Sequence, residues 1–363
     1  MKIGIAKEIK ADEYRVAMTP SGVQELIKQG NEVYVETHAG EGSGFDDNSY
    51  VAIGATIVAT AKEAYACDMM LKVKEPIASE YKYFREGLIL FTYLHLAADR
   101  ALTEALLEAK VEAYAYETLS VNGRLPLLEP MSEVAGKMAS LFGATHLGRY
   151  GGGSGRLLGG VVGVENNTVL ILGAGVAGKA AAEAAAGLGA DVTMLDINLE
   201  RLHYLSDVMP DNVTLRYSDA QTIESLVSVA DLIIGTVLLP GAKAPKLIRQ
   251  EHLKMMKKGT VLVDVSIDQG GCFETSHPTT HHEPTFEVEG IVHYCVANMP
   301  GAYPRTSTMA LTHATMPYII TLARAEKPLS NPILQSALNT INGRLTNAFV
   351  AKAHRMDYGT DNA

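Results

Sequence analysis

Short apolar runs alternate with amphipathic stretches through the first third of the chain. KIGIA, EVYVETH, ATIVA, DMMLKVK, LILFTYLH and VEAYAYE have the length and β-branched or aromatic content of strands. Between them, TPSGVQELIKQG predicts a helix with Thr19 as N-cap, Pro20 at its first position and Gly30 closing it. AKEAYA predicts a second helix, and the stretch that follows Asp99 a third. Strands that alternate with helices in this way form a mainly parallel sheet covered on both faces.

A longer helical pattern, PMSEVAGKMASLFGATHLGR, begins near Pro130 and leads out of this region. After the glycine-rich YGGGSGRLLGGVVGV, strand-like runs resume: TVLILG, DVTMLD, VTLRYS, DLIIGTV, TVLVDVSI and IVHYCVAN. A last helical region, from about Ser307 and Met309 onward, returns the chain to its starting domain. The expected fold class is therefore α/β, with two Rossmann-like domains and mainly parallel sheets. Residues 129–305 form one domain, inserted into the other, which comprises residues 1–128 and 306–363.

Composition narrows the partners. The chain has 363 residues, 47% of them hydrophobic, enough for two domains with cores of their own. A formal net charge of -10 disfavours a nucleic-acid partner. The three cysteines, Cys67, Cys272 and Cys295, form no CxxC pair, so no disulfide framework is expected. The start MKIGIAKEIK lacks the apolar core of a signal peptide, and no apolar run has the length of a membrane span. A cytoplasmic protein with no membrane partner is expected.

The inserted domain carries the most specific motif. VLILGAGVAG puts a strand directly before G-x-G-x-x-G, formed by Gly173, Gly175 and Gly178, and an Ala-rich helix directly after it. In such a loop the first glycine permits the tight turn, the second lets the backbone approach a pyrophosphate, and the third lets helix and strand pack closely. The helix N-terminus offers free N–H groups to phosphate oxygens. Asp196 closes the next strand, where an acid ~20 residues on would accept hydrogen bonds from a ribose and repel a 2′-phosphate. NAD is the expected cofactor, with NADP use left open by Arg201 nearby. The inserted domain is thus the NAD domain and the split one the substrate domain.

Three basic side chains stand where open parallel sheets bind ligands, beyond the carboxyl ends of strands. Arg15 lies in the loop after KIGIA, Lys74 ends DMMLKVK, and His95 ends LILFTYLH. Arginine and lysine in isolation are ordinarily solvated, and a lone histidine after an apolar run is ordinarily a core residue. In VDVSIDQGG, Asp264 lies within the strand pattern and reads as structural, whereas Asp268 lies at the strand end beside Gly270 and Gly271. SHPTTHHEP holds His277, His281 and His282, but its prolines favour a polar loop, and no metal is expected.

The motifs KEIKADEYRVAMTP, AGEGSGF, KVKEP, TYLHLAAD, PMSEVAGKMA, LGAGVAG, LLPGAKAP, VDVSIDQGGCFE and VANMPGAYPRTST cover most of the chain. Together they make it resemble the alanine dehydrogenase and pyridine-nucleotide transhydrogenase family. The resemblance implies NAD-dependent, reversible oxidative deamination of L-alanine to pyruvate and ammonium, in a homo-oligomer, often a hexamer. It implies that Arg15 and Lys74 hold the substrate carboxylate and oxo group, and that His95 and Asp268 handle protons. It assigns cofactor contacts to Ser132, Gly173, Gly175, Val176, Ala177, Gly178, Asp196, Arg201, Ser218, Val237 and Leu238. Further contacts fall on Val265, Ser266, Ile267 and Asp268, and on Val296, Ala297, Asn298 and Met299. It favours a functional His95. Arg156 and Val162 depart from the family's apolar and proline pattern, and His277 stands where an arginine is expected, so no cofactor role is carried to it. Rival readings are a lysine-forming saccharopine dehydrogenase, a transhydrogenase nucleotide-binding subunit, and an NAD-sensing module without catalysis.

Overall fold

The computed structural model describes residues 1–237, 244–324 and 331–359. By proximity of Cα atoms the chain divides into two units, Met1–Met131 with Gly301–Ala363, and Ser132–Pro300. The first unit begins with β1 (Lys2–Ile5), β2 (Glu32–Glu36), β3 (Thr56–Val58), β4 (Met69–Leu71), β5 (Ile89–Thr92) and β6 (Glu112–Ala115). The second contains β7 (Thr168–Leu172), β8 (Asp191–Asp196), β9 (Val213–Tyr217), β10 (Leu232–Gly235), β11 (Val261–Asp264), β12 (Thr285–Val288) and β13 (Ile291–Tyr294). The chain then adds β14 (Leu338–Ile341) and β15 (Arg344–Leu345) to the first.

The first sheet runs β15-β14-β6-β5-β4-β1-β2-β3, and the second β12-β13-β11-β10-β7-β8-β9. Pairing is parallel from β6 to β3 and from β13 to β9. Three antiparallel strands at the margins, β12, β14 and β15, were not legible as strands. Among its parallel strands each sheet reverses its strand order once, between β1 and β4 and between β7 and β10. Such a switch point opens a crevice at the carboxyl ends of the strands.

Alternation along the strands builds a core on each sheet face. Met69 and Leu71 point to one cluster with Ile3, Ile5, Phe91 and Tyr114, while Met70 joins Leu90, Leu102 and Leu106 on the other side. In the second unit, Val169, Ile171, Leu232 and Ile234 pack with the alanines of the helix Val176–Gly187. Leu170, Leu172 and Ile233 face Phe273 and Ile248.

Helix boundaries follow the local signals. Thr19 caps Pro20–Lys28 by accepting from the Gly22 N–H, and Asp99 caps Arg100–Glu108 by accepting from the Leu102 N–H. Two strand ends differ from expectation. DMMLKVK is a strand to Leu71 and LILFTYLH to Thr92, with a last backbone bond from the Tyr93 N–H to the Val73 carbonyl, so Lys74 lies in the loop beyond. His95 adopts a left-handed conformation, φ 50°, and its side chain is 45% exposed. It is neither the end of a strand nor a core histidine. The cause is Glu117, whose carboxylate accepts from the Leu94 N–H at 3.2 Å and the His95 N–H at 2.6 Å in place of a neighbouring strand. No helix among the described residues is long and apolar enough to cross a membrane.

Candidate functional site

The sequence placed Arg15, Lys74 and His95 beyond strand ends, and the first unit carries them on the segments that follow β1, β4 and β5, at its switch point. Arg15 is not a solvated charge. It is 2% exposed, and its Nε and Nη2 donate to the two Glu13 carboxylate oxygens at 2.6 and 2.5 Å. Nη1 lies 3.1 Å from the Met131 sulfur. Burial works against the guanidinium charge, but Glu13 outweighs it and keeps Arg15 charged. Glu13 therefore fixes the plane of the fork, and sequence reasoning missed it although it lies in the same motif.

The Lys74 segment is set by a second buried group. Lys72 Nζ lies 3.1 Å from Glu8 and 3.0 Å from Glu80, and all three side chains are almost wholly enclosed. Burial alone would lower the affinity of Lys72 for its proton, but the two carboxylates outweigh that and hold it charged. The other Glu8 oxygen accepts from the Val73 N–H at 2.6 Å and the Lys74 N–H at 3.4 Å. The Lys74 carbonyl accepts from Thr92 Oγ1 at 3.1 Å, which ties it to the end of β5.

Beside His95, Glu75 Oε2 lies 4.0 Å from Nδ1. That oxygen is buried and makes no hydrogen bond among the described residues. Burial pushes the Glu75 carboxyl up, yet Lys10, His95 and Lys74 together hold it below the usual carboxylate range. The Tyr93 ring, tilted against His95 at 6.0 Å, anchors its hydroxyl on the Leu127 carbonyl.

In the second unit the glycine loop follows β7 at the switch point. Gly173 has φ 101°, open only to glycine without strain. A Cβ at Gly178 would lie 1.9 Å from the Gly173 carbonyl oxygen, so only glycine lets the helix start so close to the strand. At Gly175 a Cβ would meet nothing within 4 Å, and no side chain caps the helix Val176–Gly187. The first turn, with Val176 and Ala177 half-buried, thus has no capping side chain among the described residues to take the place of a diphosphate. Asp196 ends β8. Its Oδ2 accepts from the Ala174 N–H at 2.7 Å and its Oδ1 from the Asn198 N–H at 2.8 Å.

The other expected cofactor residues gather along the same sheet edge. Ser218 follows β9 and donates its N–H to the Asp196 carbonyl. Arg201 Nε donates to the Ala174 carbonyl at 2.7 Å, and the guanidinium lies over the Tyr204 ring, so it is engaged beside the glycine turn. Ser132 lies on the helix Glu129–Leu147, four residues before Gly136, which packs on the Ala177 carbonyl. Val237 follows β10, and its carbonyl accepts from Ser266 Oγ at 2.8 Å. Leu238 lies outside the described residues. Val265, Ser266, Ile267 and Asp268 follow β11, and Val296, Ala297, Asn298 and Met299 follow β13. Asp268 Oδ2 lies 3.4 Å from the Asn298 N–H, which joins the last two segments. His277 stacks on Phe286 at 3.7 Å. Arg156 lies 3.4 Å from Asp231.

Two family models match the chain, the N-terminal domain of alanine dehydrogenase/PNT over residues 4–135 and its C-terminal domain over residues 139–348. The chain belongs to the alanine dehydrogenase/PNT family. It is 54% identical to an alanine dehydrogenase of Geobacillus stearothermophilus, over 99% of this chain and 98% of that one. It is 53% identical to alanine dehydrogenase 2 of Staphylococcus aureus strain USA300, with the same coverage. A solved L-alanine dehydrogenase superimposes with a TM-score of 0.95 at 49% identity, over 98% of this chain and 99% of that one. A transhydrogenase from Sinorhizobium meliloti gives 0.84 at 25% identity, over 96% and 99%. The α/β fold with two mainly parallel sheets is that of the family, and its members' names mark the chain as an enzyme.

Proposed function

We propose that this enzyme catalyses the NAD-dependent, reversible oxidative deamination of L-alanine, which with water gives pyruvate and ammonium. The observation that carries the reading is the grouping of Arg15, Lys74 and His95 beyond β1, β4 and β5, in a chain alike over nearly its whole length to alanine dehydrogenases. Gly173, Gly175 and Gly178 would hold the pyrophosphate, with Asp196 on the ribose, and the remaining strand-end residues would line the rest of the NAD. When bound, the nicotinamide accepts a hydride from the substrate Cα.

Arg15 binds the substrate carboxylate, oriented by Glu13, and so sets which face of Cα is presented. Lys74 donates to the oxygen that develops at Cα, where charge grows as the carbonyl forms. His95 moves the protons: the ammonium must be neutral before Cα is oxidised, water must add to the imine, and the carbinolamine must lose its amine. Nδ1 lies on the Glu75 side, which leaves Nε2 as the acid–base atom. Asp268 is the second proton-handling group.

NADH formation assayed with L-alanine, other small amino acids and saccharopine tests the reading. Turnover with alanine, and NADH consumption with pyruvate and ammonium, is expected. Turnover with saccharopine alone would replace the reading with its nearest rival, and NADH binding without any turnover would replace it with a sensing module. The same reading makes the protein a cytoplasmic homo-oligomer, a hexamer. Light scattering behind size exclusion checks the assembly, and a monomer at micromolar concentration would refute that part.

A further inference from the structure

Asp268 stands on a short turn, Ile267–Gln269, that runs straight into Gly270 and Gly271. Both glycines have positive φ, 89° and 72°, a conformation other residues rarely adopt. Two charged side chains grip it from opposite ends of its polarity. Asp264, fully buried at the end of β11, accepts from the N–H groups of Ser266 at 3.1 Å, Cys272 at 3.0 Å and Phe273 at 3.2 Å, and from Ser276 Oγ at 2.7 Å. Lys246 Nζ donates to the carbonyls of Gly270 at 2.5 Å, Gly271 at 2.9 Å and Phe273 at 3.0 Å. The carboxylate takes the amide hydrogens of the loop and the ammonium takes its carbonyl oxygens. The fit is close on the Asp264 side: a Cβ at Gly271 would come within 2.6 Å of its Oδ2.

We propose that Lys246 is a positioning residue for the reaction, which acts with Asp264 to hold the double-glycine turn in the one conformation that presents Asp268. An ammonium that spends three donors on carbonyls within four residues is unusual for an exposed lysine, whose ordinary fate is solvation. Its bonds are charge-assisted and meet at one point, so they restrain three peptide planes at once. Loss of Asp264 would remove a buried carboxylate and threaten the fold. Loss of Lys246 frees only the outer half of the grip, and so isolates the positioning effect. The proposal rests on the role given to Asp268 above.

The test compares wild type with Lys246→Met, Lys246→Arg and Asp268→Asn. Hydrogen exchange in the free protein reads the loop directly, NADH fluorescence reads cofactor binding, and initial rates read kcat and the KM for pyruvate. Lys246→Met should raise exchange at residues 266–273 about tenfold and leave peptides of β7 and β8 unchanged. The melting temperature should hold, kcat should fall about tenfold, and the KM for pyruvate, set by Arg15, should stay within about twofold. Lys246→Arg, which keeps the charge with another donor geometry, should fall between. Wild-type exchange in Lys246→Met would overturn the clamp, as would wild-type kcat in that variant beside an impaired Asp268→Asn. Full turnover in Asp268→Asn would instead overturn the role of Asp268, and with it the catalytic meaning of the clamp, whatever the exchange showed.

Discussion

Removing Arg15 should damage the protein in two separable ways, and the structure says how to divide them. Arg15 and Glu13 form a buried pair, with side chains 2% and 0% exposed. Arg15→Met takes the guanidinium from a carboxylate that has no access to water. Breaking one side of a buried pair costs about 3–5 kcal/mol. At 2–4 °C per kcal/mol for a domain of this size, melting should fall by roughly 6–20 °C. Glu13→Gln with Arg15→Met removes both charges, and replacing a whole buried pair is close to neutral, within about 1–4 kcal/mol and often favourable. The double variant should therefore recover most of the lost stability.

Substrate binding should not recover with it. If Arg15 holds a carboxylate, both variants lose charge-assisted hydrogen bonds of about 1.5–3 kcal/mol, which corresponds to a KM for pyruvate raised roughly 10- to 100-fold. Thermal melting and the KM for pyruvate, measured on both single variants and the double, separate the effects, with NADH affinity as the control. A double variant with a wild-type KM would show that Arg15 is structural only. An Arg15→Met variant that melts with wild type would refute the energetic claim about the pair.

Asp196→Ala should shift the ratio of kcat/KM for NAD over NADP toward NADP, since the carboxylate that would meet a 2′-phosphate is gone; a wild type that already prefers NADP, or a ratio that does not move, refutes the ribose assignment. His95→Gln should stay folded and bind NADH while turnover drops about 10²-fold, and an active but less stable variant would return His95 to a packing role. Glu75 is held below the usual carboxylate range, so between its folded and unfolded values the unfolded chain binds more protons. Its contribution is complete above the unfolded carboxylate value and is lost as pH falls through the folded one. Glu75→Gln should flatten that acid limb in unfolding measured from pH 3 to 6, and an unchanged slope would exclude it.

The parts of this molecule that could be read from sequence are those whose cause lies within a few residues. Thr19 and Asp99 cap helices whose N–H groups they reach across three positions, and the spacing of Gly173, Gly175 and Gly178 is dictated by one turn. The strand ends were misread because their cause is remote. Leu94 and His95 are apolar-run residues by pattern, but Glu117, 22 positions on, takes the His95 N–H and ends the pairing. The antiparallel β14 joins β6 across most of the chain, and nothing in LNTI announces a partner at Ala113 and Tyr114.

Charge misleads in the same way, and here the physics explains the function. By residue type, Lys72 and Arg15 belong in water, and only the fold shows that Glu8, Glu80 and Glu13 meet them in its interior. Desolvating these charges is costly, and well-packed apolar residues would often serve stability as well. What apolar residues cannot do is accept the Val73 and Lys74 N–H groups or hold a guanidinium in one plane. A carboxylate of a small substrate offers few atoms to grip, so the donors that meet it must be fixed beforehand. On the proposed reading the buried carboxylates would be the second half of the substrate site: Arg15 and Lys74 would carry the contacts, and Glu13 and Glu8 would decide where those contacts can be made.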